Sequence, residues 1–491
     1  MSIDFNPMAA RMDLAEQLSG IQNELQKRRW AASGSEWVQE RLGEHVWSKQ
    51  RMIINSVRDY RRTAVHSCHE AGKSFIASRI AGWWLDTHKP GEAFVVTSAT
   101  TGDQVKAILW REIGRMHTKG SLSGRVNQTE WHVPVVQPNG RAREELIAVG
   151  RKPSEYNPAA FQGIHARYVL VIFDEAAGIP GGSKDKPHSL WESADSLIAN
   201  DDSRILVIGN PDDPTSEFAS VCKPGSGWNV IGISAFETPN FTNEPVPEAV
   251  RHLLIGKTWE EEKRKKWGEG NPLYISKILG RFPESTAGGL IPISWVKAAQ
   301  ERTLPACDPD EFGVDVGAGG DKNTVAHRKG PFVRIIRRDQ EPDTMRSCGN
   351  LLHDMQATGT TVAKVDYIGI GRGLVDRAVE LNKPVIGVNV GMAAAKSEEF
   401  ENIRAEGYWA LRERFGAGEI DIDPEDDDLA AQLVGIKFKR SSRGRIIIES
   451  KDEMKRRGMA SPDDADALML AYLPEHLLGP KPVQEVEVLW G

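Results

Sequence analysis

The chain has 491 residues, a formal net charge of −7, 40% hydrophobic and 27% charged residues, so it is too long for one hydrophobic core and at least two domains are expected. Its apolar runs stop far short of the ~20 residues of a membrane span, and it does not open on a charged segment followed by an apolar stretch, so no signal peptide is expected. The cysteines Cys68, Cys222, Cys307 and Cys348 lie far apart without a C-x-x-C pair, which points to a reducing compartment and argues against a disulfide framework or a zinc site.

In chain order, residues 1–45 read as a charged helical lead-in. From about 62 to 234, short β-rich runs alternate with helical stretches: TAVH (63–66), AFVVTS (93–98), YVLVIF (168–173) and ILVIG (205–209). Continuous apolar runs of this kind suit strands buried on both faces, hence a parallel sheet covered by helices. The Pro- and Asn-rich stretch 237–250 marks a break, TWEEEKRKKW (258–267) reads as a charged helix, and GRFPESTAGGLIP (280–292) as a linker. The second half has a different pattern. FGVDVGAGG (312–320) is a strand ending in glycines, and NTVAHRKGPFVRIIRR (323–338) reads as two strands around a Lys-Gly-Pro turn. A helix over 343–358 and the strand VAKVDYIGI (362–370) follow, which defines a second domain over about 307–475.

Charge is unevenly distributed. RDYRR (58–62), KFKRSSRGR (437–445) and KRR (455–457) are basic, whereas DPEDDD (423–428) is acidic. A basic strip can hold phosphates whatever the total charge, and it can equally be a solvated face.

The stretch HSCHEAGKS (66–74) ends as a phosphate-binding loop does, with Gly72, Lys73 and Ser74, but Ser67 stands at the first glycine position. A bare Gly-Lys-Ser arises readily by chance, so context decides. The triplet follows a strand and opens the helical pattern SFIASRIAGWWL (74–85), which would turn backbone N–H groups and the positive helix end toward phosphates. Lys73 would reach the β- and γ-phosphates and Ser74 would ligate Mg²⁺. YVLVIFDEA carries Asp174 and Glu175 at the end of an apolar strand, where Asp174 would hold Mg²⁺ and Glu175 would orient or deprotonate the attacking water. ILVIGNP ends in Asn210, a polar residue placed to sense the γ-phosphate.

A second constellation is acidic. Asp315 and Asp366 each interrupt an apolar strand, where an unsatisfied carboxylate is costly. SPDDADALMLAYL (461–473) begins a helix, with Ser461 expected as N-cap and Pro462 in the first turn. Asp463 and Asp466 share one helix face; Asp464 competes with them. Acids from two strands and a helix suit an oxygen-only Mg²⁺ or Mn²⁺ pair, which in phosphodiester cleavage activates a water and stabilises the leaving 3′-oxygen. No histidine accompanies them at ligand spacing.

Together these motifs resemble the large terminase subunit of tailed bacteriophages, along nearly the whole chain. The resemblance rests on VWSKQR (46–51), SCHEAGKS, VVTSATTGDQVKAILWREI (95–113), FQGIHARYVLVIFDEA (161–176), ILVIGNP, GVDVGAGGDKNTV, KVDYIGIGRGLVDRAVE and SPDDADALMLAY. It implies an α/β chain with an N-terminal RecA-like (ASCE) P-loop ATPase domain, 46–245, a helical linker region, 246–306, a C-terminal RNase H-like nuclease domain, 307–475, and a tail, 476–491. The implied nucleotide-binding residues are Gln50 on the adenine side, Ser67, Cys68, His69, Glu70, Ala71, Gly72, Lys73, Ser74, Asp174 and Asn210. Glu175, Asp315, Asp366 and Asp463 are the implied catalytic residues, and Ser74, Asp174, Asp315, Asp366, Asp463 and Asp466 the implied metal ligands. ATP with Mg²⁺, and Mg²⁺ or Mn²⁺ at the nuclease, are the implied cofactors. The implied partners are double-stranded DNA, a small terminase subunit and a portal protein, with a homo-oligomeric ring when docked and no membrane, in the bacterial host cytoplasm and transiently at the procapsid portal. His69 stands where many relatives carry an arginine, so the charge-stabilising arginine is open among Arg79, Arg111, Arg115 and a neighbouring subunit. Two rival readings remain: a cellular helicase-nuclease, which would need a second motor domain, and a non-catalytic DNA-binding protein with a decayed P-loop.

Overall fold

The computed structural model describes residues 7–99, 105–136, 140–151, 164, 166–181, 189–283, 288–317 and 321–478. Parts of three quoted motifs, at 100–104, 161–163 with 165, and 318–320, fall outside them, as does most of the tail. The chain forms two compact units: Met1–Glu260 with Ser276–Phe282, and Glu261–Ile275 with Pro283–Gly491.

In the first unit, β1 (Arg62–Ser67), β2 (Ala93–Ser98), β6 (Tyr168–Asp174), β7 (Arg204–Gly209) and β8 (Asn229–Ile233) form the sheet core in the order β2-β6-β7-β1-β8. All these neighbours are parallel. One strand, β7, separates the P-loop strand from the strand ending in Asp174, the arrangement of RecA-like (ASCE) ATPases. The expected parallel sheet is only part of what forms. β3 (Arg125–Asn127), β4 (Glu130–Val136) and β5 (Ala142–Arg151) extend it beyond β2, and both β3-β4 and β4-β5 are antiparallel. Pro134 hides β4 from a sequence reading, since proline is confined to edges. β3 pairs only as far as His132, so among the described strands Pro134 has a neighbour on one side alone. Ala64, Val171, Phe173, Trp191, Val207 and Phe218 fill one face of the sheet.

The second unit carries a five-stranded sheet in the order β11-β10-β9-β12-β13. β9 (Asp310–Asp315), β12 (Val362–Asp366) and β13 (Val385–Val388) are parallel. β10 (Asn323–Lys329) runs antiparallel to β9 and to β11 (Phe332–Asp339), which is the RNase H-like topology. Helices Thr344–Thr358 and Gly371–Glu380 pack with Phe312, Val314 and Val365 in one core. Helix Asp463–Ala471 packs against β9, β10 and β12. Gly313 makes that approach possible, because a Cβ there would stand 2.1 Å from the Ala467 carbonyl oxygen. The strand expected over 362–370 stops at Asp366, and the chain folds back so closely that a Cβ on Gly371 would lie 1.8 Å from the Asp366 carbonyl oxygen. The basic stretch at 437–445 contains β14 (Phe438–Arg440), which pairs with β15 (Ile446–Ile448) as a separate hairpin.

Candidate active sites

The loop that carries the expected phosphate-binding residues connects β1 to helix Lys73–Thr87. Ser67 is still within β1, paired with Ile233, so the position needs no glycine. The conformational demand falls later. Glu70 has φ +49° and Gly72 φ +76°, and a Cβ on Gly72 would meet Gln50 Nε2 at 2.6 Å. Gln50 is buried, and its Nε2 donates to the Gly72 carbonyl at 3.4 Å.

The polar side chains of the site are already joined. Lys73 Nζ donates to Asn210 Oδ1 at 3.0 Å and to the Cys68 carbonyl at 3.3 Å. Asn210 Nδ2 donates to the Ser67 carbonyl at 2.8 Å, so one side chain spans the loop base and its lysine. Ser74 Oγ donates to Asp174 Oδ2 at 2.8 Å. Burial, then the neighbouring Glu175 charge, pushes the Asp174 carboxyl up to about 6. Glu175 occupies the left-handed region at φ +49°, a strained setting that concentrates at functional sites. Burial pushes the Cys68 thiol up to about 12, so it is no nucleophile.

His69 and Glu70 are exposed. The His69 ring stacks on Trp259 at 6.2 Å, and the His69 backbone N–H donates to the Lys277 carbonyl at 2.8 Å. Of the arginines considered, Arg79 is buried between Glu44 (2.8 and 2.9 Å) and Glu112 (3.1 Å), which assigns it to packing. Arg115 pairs with Glu112, while Arg111 is exposed.

In the second unit, Asp315, Asp463 and Asp466 converge on a residue that no motif pointed to. Lys451 Nζ lies 3.1 Å from Asp315 Oδ2, 3.2 Å from Asp463 Oδ1 and 3.3 Å from Asp466 Oδ2. Burial opposes charge on Lys451, but Asp466, Asp315 and Asp463 outweigh it and hold the ammonium protonated. Burial drives the Asp315 carboxyl well above the ordinary range despite Lys451. Among the described residues, no three acidic, His or Cys side chains are gathered as they stand to hold an ion; the ammonium is the shared cation.

Asp466 has a divided carboxylate. Its Oδ1 accepts from Tyr408 Oη at 2.7 Å and from Arg404 Nη2 at 3.2 Å, leaving Oδ2 toward Lys451. Burial raises its pKa, but Arg404 and Lys451 outweigh that and lower it. Asp366 lines the same cleft of about 280 Å³ as Asp466, Arg404 and Lys451, and burial raises its carboxyl. Asp464 is engaged elsewhere: Oδ1 accepts from Thr324, and Oδ2 from Arg338 and Gln432, each at 3.0 Å. Ser461 is not the N-cap. Pro462 holds that position, and Ser461 Oγ donates instead to Asp463 Oδ1 at 2.5 Å. Lys451, Arg404 and Tyr408 sit in no recognisable spacing with the acids; only the structure brings them in.

No family model matches the chain. It is 26% identical over 481 residues to the "Probable terminase, large subunit" of Enterobacteria phage P7, covering 88% of each chain. Similar solved structures include a variant nuclease domain of the large terminase subunit of bacterial virus Sf6 with manganese, at 22% identity and TM-score 0.32 over 38% of this chain and 98% of that one. Another is the large terminase of a thermophilic bacteriophage in complex with ADP, at 12% identity and TM-score 0.39 over 87% of this chain and 98% of that one. The resemblance drawn from the motifs is thus met by a relative of the same kind along most of the sequence.

Proposed function

We propose that this chain, a relative of terminase large subunits, is the ATP-driven motor and nuclease of tailed-phage DNA packaging. The observation that carries the reading is the pairing of two complete polar constellations on separate sheets. One is the Lys73–Asn210 and Ser74–Asp174 pair of bonds at the P-loop; the other is the set of aspartates around Lys451.

In the motor, Lys73 binds the β- and γ-phosphates, the loop N–H groups cradle them, and Gln50 supports the loop from the adenine side. Ser74 and Asp174 fit Mg²⁺, being adjacent oxygen donors at the strand end, and the bound ion would offset phosphate charge. Glu175 orients a water at the γ-phosphorus and takes its proton; the products are ADP and inorganic phosphate. Asn210 senses the γ-phosphate through its bond to Lys73.

In the nuclease, the donor set of Asp315, Asp366, Asp463 and Asp466 is all oxygen and strongly acidic, which fits Mg²⁺ or Mn²⁺ once Lys451 withdraws. Such ions supply an activated water and charge stabilisation for the leaving 3′-oxygen. Arg404 and Tyr408 orient Asp466 so that Oδ2 faces the shared centre. The domains serving these roles are 46–245 and 307–475, joined by the helical region 246–306.

The reading carries the partners of the family: double-stranded DNA as substrate, a small terminase subunit, a portal protein and a ring of copies at the procapsid in the host cytoplasm. Two intact hydrogen-bonded pairs at the P-loop weigh against a decayed nucleotide site. The reading is tested by ATP hydrolysis in the parent and in Lys73→Ala and Glu175→Gln. Both variants are expected to lose turnover, with Glu175→Gln still binding ATP; hydrolysis unchanged in Lys73→Ala refutes the site.

A further inference from the structure

The two basic strips at 437–445 and 455–457 belong to no P-loop or acidic motif, yet they meet in the second unit. The hairpin β14-β15 and helix Lys451–Arg456 enclose a shallow cleft of about 390 Å³, with Lys437, Lys439, Arg456 and Arg457 on its walls beside Phe438, Glu449 and Glu453. Residues 437–457 hold nine cationic and three acidic side chains, in a chain whose net charge is −7.

Local pairing leaves a surplus. Lys439 pairs with Glu453, Arg445 with Glu401, Lys455 with Asp321, Arg457 with Glu449 and Lys451 with the aspartates. The side-chain cations of Lys437, Arg440, Arg443 and Arg456 are in no ion pair with a carboxylate among the described residues, although the Lys437 backbone N–H donates to Glu449 Oε1 at 2.7 Å. The hairpin tip is ordered by its own bonds. Ser441 N donates to the Arg445 carbonyl at 2.8 Å, and Ser441 Oγ accepts from the N–H groups of Arg443 and Arg445 at 3.2 and 3.1 Å. Gly444 takes φ +79°, a conformation glycine accepts without strain. Arg443 is thereby presented on a fixed turn and exposed.

We propose that this hairpin and helix form a platform for the phosphate backbone of duplex DNA beside the acidic site, a refinement that rests on the packaging-motor reading above. Three observations favour this occupant. The surface joins the acidic cleft directly, since Ile448, Ser450 and Lys451 line the cleft that holds Asp366 and Asp466. Its unmatched charges are arginine and lysine, which phosphates neutralise with release of counterions. None of the exposed large apolar side chains falls within 437–457, whereas the centre of a protein interface is anchored by such groups.

The experiment is equilibrium binding of a labelled duplex to the full chain in EDTA over a salt series, which separates binding from cutting. Arg443→Ala with Arg456→Ala should reduce the slope of log Kobs against log[salt] by about 2 and weaken binding at low salt by roughly tenfold or more. Arg346→Ala with Lys383→Ala, an equal charge change on exposed residues of the same unit, should leave the slope unchanged. Melting curves matching the parent exclude misfolding. An unchanged slope in the first variant overturns the platform and assigns the surface to another occupant, such as an acidic protein face; an equal loss in the control pair also overturns it. Absence of duplex binding by the parent chain would overturn the motor reading itself along with the platform.

Discussion

Replacing Lys451 by methionine keeps most of the side-chain volume and removes the cation that, among the described residues, Asp315, Asp463 and Asp466 share. All three carboxylates are more than nine-tenths buried, and stripping the partner from a buried ion pair costs about 3–5 kcal/mol. For a unit of this size each kcal/mol moves the melting point by ~2–4 °C, so a fall of roughly 10 °C is expected at pH 8. The sign of the pH dependence follows from the charges. Burial already raises the Asp315 carboxyl, and Lys451 is the charge that most opposes this; without the ammonium its folded-state pKa rises further above the unfolded value, so stability is lost as pH rises past the ordinary carboxylate range, and the deficit should shrink toward pH 5. A divalent ion would replace the missing charge; at a hundredfold excess over its Kd it returns about 2.7 kcal/mol. The assay is thermal melting of parent and variant with and without Mg²⁺ or Mn²⁺. The parent should respond weakly, because Lys451 already occupies the centre, and the variant strongly. A variant that melts with the parent and ignores both ions refutes the reasoning.

The neighbouring acid gives a contrast: Asp464→Asn should cost about 1–3 kcal/mol through its partners Thr324, Arg338 and Gln432, while metal-dependent plasmid nicking per folded molecule persists, and loss of nicking without loss of stability would contradict this. Burial alone would raise the Asp428 carboxyl, but Lys266 and Lys263 hold it at about 2, below its ordinary 3.8. That stabilisation is present above 3.8 and disappears as pH falls through about 2, so Asp428→Asn should lower the melting point at neutral pH by the equivalent of about 2 kcal/mol, a difference that closes in acid. Gly72→Ala must fit a Cβ 2.6 Å from Gln50 Nε2 at positive φ; nucleotide binding measured by calorimetry should be lost while nicking remains.

What the sequence revealed was local. Gly72, Lys73 and Ser74 are contiguous, and Asp174, Asp315 and Asp366 stand out because a carboxylate ending an apolar run demands an explanation. The helix face shared by Asp463 and Asp466 follows from periodicity alone. The hidden parts depend on distance along the chain. Lys451 is 136 residues from Asp315, and Arg404 is 62 residues from Asp466, so no spacing announces either contact. Arg79 is open by sequence as a charge-stabilising arginine, and only the structure shows Glu44 and Glu112 enclosing it from two other segments. β4 was concealed by Pro134, and β5 because its apolar residues cluster near one end of an otherwise charged strand. The basic strips were visible, but their convergence beside the acidic cleft was not.

The central claim is that one chain carries two independent chemistries, phosphoanhydride hydrolysis at Lys73 and phosphodiester cleavage at Asp315. The most direct measurement is parallel ATPase and Mg²⁺- or Mn²⁺-dependent DNA cutting, with double-stranded DNA present, for the parent, Lys73→Ala and Asp315→Ala. The account predicts reciprocal loss: Lys73→Ala cuts without hydrolysing ATP, and Asp315→Ala hydrolyses ATP without cutting. Persistence of both activities in either variant, each folded as the parent, would contradict it.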